Sequence, residues 1–137
     1  MKRVLNVLSI LSCLSLVAVV GIAIVSAASN TYVYRVSSDI PAAYTANTYY
    51  NSTGLGVNTK LLERDNSAYP VNVTYTLYEH VNGGKGQYKD SRSLSMNQVN
   101  ATYMFKFTEL NTANSYHTSI QGTDNAGRVE IRLYSAT

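Results

Sequence analysis

The sequence predicts an all-β fold, an antiparallel β-sandwich of about seven short strands, with a small β-barrel as the alternative. Three observations predict it. Apolar residues recur at every second position in segment after segment. Gly, Asn and Asp clusters separate those segments. No segment carries a sustained helical stripe, and Tyr, Ser, Thr and Asn are abundant, a mixture that favours strands and turns.

The elements follow in order. Tyr32, Tyr34 and Val36 share a face opposite Val33 and Arg35. Residues 39–47 have room for one helical turn at most. Leu55, Val57, Thr59 and Leu61 repeat the alternation more weakly. Val71, Val73, Tyr75 and Leu77 alternate with Asn72, Thr74, Thr76 and Tyr78, the clearest period-two pattern in the chain. Residues 91–96 are the least regular, because Asp90 and Arg92 fall in phase with Leu94 and Met96. That irregularity suits an edge strand or a bulge. Tyr103, Phe105 and Phe107 then alternate with Met104, Lys106 and Thr108. Tyr116, Thr118 and Ile120 supply another strand, and Val129, Ile131 and Leu133 the last. Asn82-Gly83 is a strong hairpin signal, lengthened by Gly84 and Gly86. Residues 110–115 and 124–127 supply later turns. One sheet cannot bury so many apolar faces, so a second sheet or a partner is required.

The domain organisation is set by the first residues. Lys2 and Arg3 precede an uncharged apolar run over 4–25, and small residues follow it. Residues 1–27 read as a hydrophobic signal helix cut between Ala27 and Ala28, leaving 28–137 as a single extracellular β-domain. An uncleaved membrane anchor is the alternative, since the run exceeds about 18 residues. Either way the positive end stays inside and the remainder lies outside. Cys13 does not read as a lipidated cysteine, because the apolar run continues for twelve residues after it.

Without this segment the composition changes. Cys13 is the only cysteine, so the mature domain is cysteine-free, with no disulfide, thiolate metal site or thiol nucleophile. Lys2 and Arg3 take two of the 11 basic residues, leaving nine against eight acids, a net charge of +1. Nucleic-acid binding therefore has no electrostatic footprint.

Glu79-His80, just before the Asn82-Gly83 turn, is the first candidate for chemistry. Successive strand side chains point to opposite faces. Glu79 should follow Tyr75 and Leu77 to the rim of the apolar face, and His80 should point outward with Thr76 and Tyr78. Only a bulge at this point would bring the pair together. His117 is outward as well and can share a face with His80, but two histidines fall short of the usual zinc ligand set. No cofactor or metal is expected. No Gly-x-Ser-x-Gly elbow occurs, no pair of carboxylates is singled out, and the glycine clusters lack the helix of a phosphate loop. No catalytic residue is assigned. Asn51, Asn72 and Asn100 begin glycosylation sequons, relevant only in a eukaryotic secretory host.

All 12 tyrosines follow the leader. Exposed tyrosine gives apolar area with a polar tip, suited to interfaces. Tyr49, Tyr50, Tyr78 and His80 form the candidate contact patch. The sequence thus reads as a small secreted, non-enzymatic, tyrosine-rich binding module whose partner is an extracellular protein or a surface glycan. A self-assembling structural or toxin-like protein, oligomeric through edge strands, is the alternative. A small hydrolase is a third reading, with neither triad nor metal set in view.

Overall fold

The computed structural model describes Ser29–Thr137. The signal segment, its cut at Ala27 and Ala28, and Cys13 lie outside the described residues. Nine strands follow in order: β1 (Ser29–Val36), β2 (Ala43–Tyr44), β3 (Thr48–Tyr49), β4 (Gly54–Arg64), β5 (Val71–His80), β6 (Gln87–Met96), β7 (Thr102–Phe107), β8 (Ser115–Asp124) and β9 (Gly127–Ala136). They form two antiparallel sheets, ordered β1-β9-β4-β7 and β2-β8-β5-β6, with β3 also paired to β8. This is the sandwich the alternation predicts, not a closed barrel. The seven expected strands are the seven long ones.

Alternation explains the core. Leu55, Val57 and Leu61 of β4 and Val129, Ile131 and Leu133 of β9 are fully buried from one sheet. Val71, Val73, Tyr75 and Leu77 of β5 meet them from the other, with Tyr116 and Ile120 of β8. Each such aliphatic side chain contributes roughly 1.5–3 kcal/mol by leaving water. The polar Thr59 sits in this core at 0% exposure because its hydroxyl is paired with the Tyr75 hydroxyl at 2.6 Å. Burial of the Tyr75 phenol raises its pKa.

Three local features differ from the expectation. Residues 39–47 form no helix; Ala43 and Tyr44 instead extend the second sheet by pairing with Ile120 and Ser119. Tyr49, which lies outside the seven expected strands, likewise pairs with Ser115. The turn at 124–127 joins β8 to β9 across the two sheets rather than within one. The direct hairpin is β5–β6. There Asn82 and Gly83 both adopt left-handed backbone (φ 50° and 70°), as the Asn-Gly signal requires. The Gly84 N–H donates to Val81 O at 2.9 Å and closes this turn.

β6 is both an edge strand and a bulged one. Leu77 pairs with Asp90 and Tyr78 with Tyr88, so Lys89 is the extra residue. The bulge lies in β6, and β5 keeps its alternation through His80. Glu79 and His80 therefore emerge on opposite faces.

Candidate functional site

Glu79 stands at the rim of the core and fastens the loop between β7 and β8. Its Oε1 accepts from the Tyr116 hydroxyl at 2.6 Å and from Asn114 Nδ2 at 2.9 Å. Tyr116 in turn accepts from the Asn111 N–H at 2.7 Å. The bulged Lys89 places its ammonium 3.8 Å from Oε2. The Tyr116 and Asn114 donors, opposed by partial burial and helped by Lys89, hold the Glu79 carboxyl below its ordinary range. Burial and the neighbouring carboxylate push the Tyr116 phenol up to about 12. Every strong contact of Glu79 is spent on positioning chain, which makes it a clasp.

His80 belongs to a different environment on the outer face. Its Nδ1 lies 2.8 Å from Gly84 O, and its Nε2 lies 2.6 Å from His117 Nδ1. A carbonyl only accepts, so His80 Nδ1 donates to Gly84, and its Nε2 accepts from the His117 Nδ1–H. Tyr78 stacks on His117, ring centroids 4.9 Å apart and 8° from parallel, and Tyr44 lies 6.0 Å away on the other side. The β5–β6 loop folds back on the pair. A Cβ at Gly86 would stand 3.0 Å from both imidazoles, so any larger residue would press on the pair and the loop seats most closely with glycine there. Burial, followed by the nearby His80, lowers the His117 pKa. Among the described residues, no group of three or more His, Cys, Asp and Glu converges as a metal set would require.

These residues belong to a row that crosses the second sheet. Tyr44 on β2, His117 on β8, Tyr78 on β5 and Tyr88 on β6 all point outward, with Tyr44 and Tyr88 62% and 67% exposed. Below the row, β5 and β6 carry a ladder of hydroxyls. Thr74 Oγ1 lies 2.9 Å from Ser93 Oγ, and Thr76 Oγ1 lies 3.4 Å from Ser91 Oγ. At its far end the ladder reaches an open cleft of 420 Å³ lined by Asn66, Tyr69, Pro70, Asn72, Asp124 and Asn125. Asn125 fixes that cleft, its Nδ2 donating to Asn66 O at 2.8 Å and to Tyr69 O at 2.9 Å.

The four residues expected to form a contact patch separate into three and one. Tyr78 and His80 share the outer face of β5. Tyr49 and His80 pair with Ser115 from its two sides, and Tyr49 is 62% exposed. Tyr50 departs from the expectation: it is 1% exposed, and burial pushes its phenol up to about 12. Alternation explains this too, since Tyr50 follows the outward Tyr49. Tyr44, Tyr88 and Tyr69 were not singled out by sequence. Tyr88 was hidden by the β6 bulge, and Tyr44 by the brevity of β2.

No protein-family model matches the chain, and no curated protein matches it. Several solved structures are similar in shape. A Yersinia pseudotuberculosis-derived mitogen aligns with 12% identity and a TM-score of 0.45, covering 79% of this chain and 86% of its own. PirA aligns with 13% identity and a TM-score of 0.44, covering 75% and 92%. A structure of Bacillus endospore appendages, described as disulfide-linked pili, aligns with 10% identity and a TM-score of 0.39, covering 81% and 88%. Similarities this distant assign the chain to no family.

Proposed function

We propose that the chain is a secreted, non-enzymatic binding domain that engages an extracellular partner through the outer face of the β2-β8-β5-β6 sheet. The observation that carries this reading is the aromatic row on that face, with Tyr44 and Tyr88 left 62% and 67% exposed on either side of Tyr78 and His117. Large amphipathic rings on a rigid sheet bind at low entropic cost, because few rotors are frozen. The acid and base candidates support the same reading. Glu79 is engaged as a clasp, and His80 and His117 bond to each other and, among the described residues, to no hydroxyl or thiol. Self-assembly through the β6 edge is opposed by its bulge and by Lys89 and Arg92, devices that blunt strand pairing.

The test is retention of extracellular surface material by the immobilised protein, compared with a Tyr78→Ala/Tyr88→Ala variant. Retention should fall about tenfold or more in the variant. Equal retention by the two would remove the face from consideration. Turnover in an ester or glycoside substrate screen would argue for an enzyme.

A further inference from the structure

We infer that the partner of this face is an uncharged, extended polysaccharide lying along β5 and β6, from the aromatic row at Tyr78 to the cleft at Tyr69. The inference rests on the binding-domain reading above and goes beyond it by naming the chemical class.

The charge distribution is the first argument. The outward residues of β5 run Asn72, Thr74, Thr76, Tyr78, His80, and none is acidic, lysine or arginine. The same holds for their cross-strand partners on β8, from Thr123 to Ser115, and on β6, from Ser95 to Tyr88. Along the strands the nearest charged groups are turned away: Asp90 and Arg92 pair with the inward Leu77 and Tyr75, and Lys89 reaches toward Glu79. At the cleft the one charged lining residue is an acid, Asp124, which repels anions as well. An anionic polymer would lose hydration here with no counter-charge in return. A polyhydroxylated neutral chain meets what it needs, aromatic faces for its C–H surfaces and hydroxyls and amides for its own hydroxyls.

Shape is the second. From Asn72 to Tyr78 the track is about 20 Å long at about 3.3 Å per residue, and two strands make it about 10 Å wide. Its area of about 200 Å² is a quarter of the roughly 800 Å² per partner that a standard protein interface takes. On β8 the matching surface is partly roofed, since Gln121 Nε2 donates to Ser37 O and Ile40 O at 3.0 and 3.1 Å. A long narrow strip with an aromatic anchor at one end and a cleft at the other fits a linear chain better than a globular surface or a single sugar.

Chain length is therefore the decisive variable. The purified protein is titrated calorimetrically with short and long oligomers of neutral glucans, mannans and xylans, with heparin and hyaluronan as anionic probes. At least one neutral series should bind, with affinity rising about tenfold or more from dimer to hexamer. Tyr78→Ala should weaken dimer and hexamer alike, about tenfold. Tyr69→Ala should weaken the hexamer alone. Met104→Ala, exposed on the other sheet, should change neither, and circular dichroism checks that each variant is folded. Binding independent of length, or binding of the anionic probes alone, overturns the inference. If no neutral glycan binds while a protein partner is lost in Tyr78→Ala, the polysaccharide is wrong and the binding domain stands. A partner indifferent to both tyrosines removes both.

Discussion

The two sheets turn opposite kinds of surface to solvent. The outward positions of β1-β9-β4-β7 include Arg35, Lys60, Lys106, Arg128, Glu130 and Arg132, and exposed ion pairs join Arg35 to Asp65 and Arg128 to Glu63. The outward positions of β5 and its partners carry no formal charge at all. Core formation asks nothing different of the two outer faces, since both sheets contribute their inner rows to one shared core. Solubility favours charge on exposed strands, and surface ion pairs contribute little to stability. A charge-free aromatic strip on one side alone thus has no counterpart in the folding problem, which is what the proposed ligand recognition would account for.

The strongest way to break this contrast is from beneath the neutral face. Glu79 keeps its charge on the inner side of β5, where Tyr116, Asn114 and Lys89 satisfy it. Glu79→Ala leaves the Tyr116 hydroxyl and the Asn114 amide without their acceptor. The expected cost is about 2–3 kcal/mol, since hydrogen bonds to a charged group are the stronger kind and the orphaned donors lie partly buried. For a domain of this size the melting temperature should fall by about 10 °C or more. A fall of only a degree or two would mean that water replaces the carboxylate, and that the loop between β7 and β8 stands without it.

Charge exchange between the faces sharpens the contrast more gently. Thr76→Lys puts a cation in the middle of the hydroxyl ladder, and Lys60→Thr removes one from the opposite face. Both positions lie on the outer surface, so each change in stability should stay within about 0.5 kcal/mol. Their effects on binding should differ: about tenfold weaker for Thr76→Lys and unchanged for Lys60→Thr. Titrating both variants with the partner recovered by the parent protein measures this. Equal effects would show that the neutrality of the strip is incidental.

Much of this was legible in the sequence, and the rest was hidden for identifiable reasons. Period-two alternation located every long strand and separated Glu79 from His80, because a strand that keeps its pleat leaves no choice of face. Sheet order was not legible: the residues at 124–127 look like a hairpin turn yet pass between sheets, a choice made by packing rather than by the turn. Tyr50 was misplaced because Tyr49 and Tyr50 are chemically identical, and only the short pairing of Tyr49 with Ser115 decides which faces water. The bonds from Glu79 to Asn114 and Tyr116 and from His80 to His117 span more than thirty residues, where local pattern carries no information.

The smallest expected effect concerns the titration of the two faces of β5. Both Glu79 and His117 have folded pKa values below their ordinary ones, 4.5 and 6.5. For either group the unfolded chain takes up its proton first as pH falls. The unfolded state then binds more protons than the folded state, so stability falls with falling pH. The contribution of His117 is complete above about pH 6.5 and is lost as pH drops through its lower folded value. That of Glu79 is complete above about pH 4.5 and is lost at still lower pH. Melting temperature against pH should therefore decline in two separate steps. His117→Asn should flatten the upper step and leave the lower one; Glu79→Gln should do the reverse. A profile in which His117→Asn removes nothing between pH 7.5 and 5.5 would mean that the imidazole takes its proton in place, on the Nε2 that His80 leaves free, without loosening the loop seated above it.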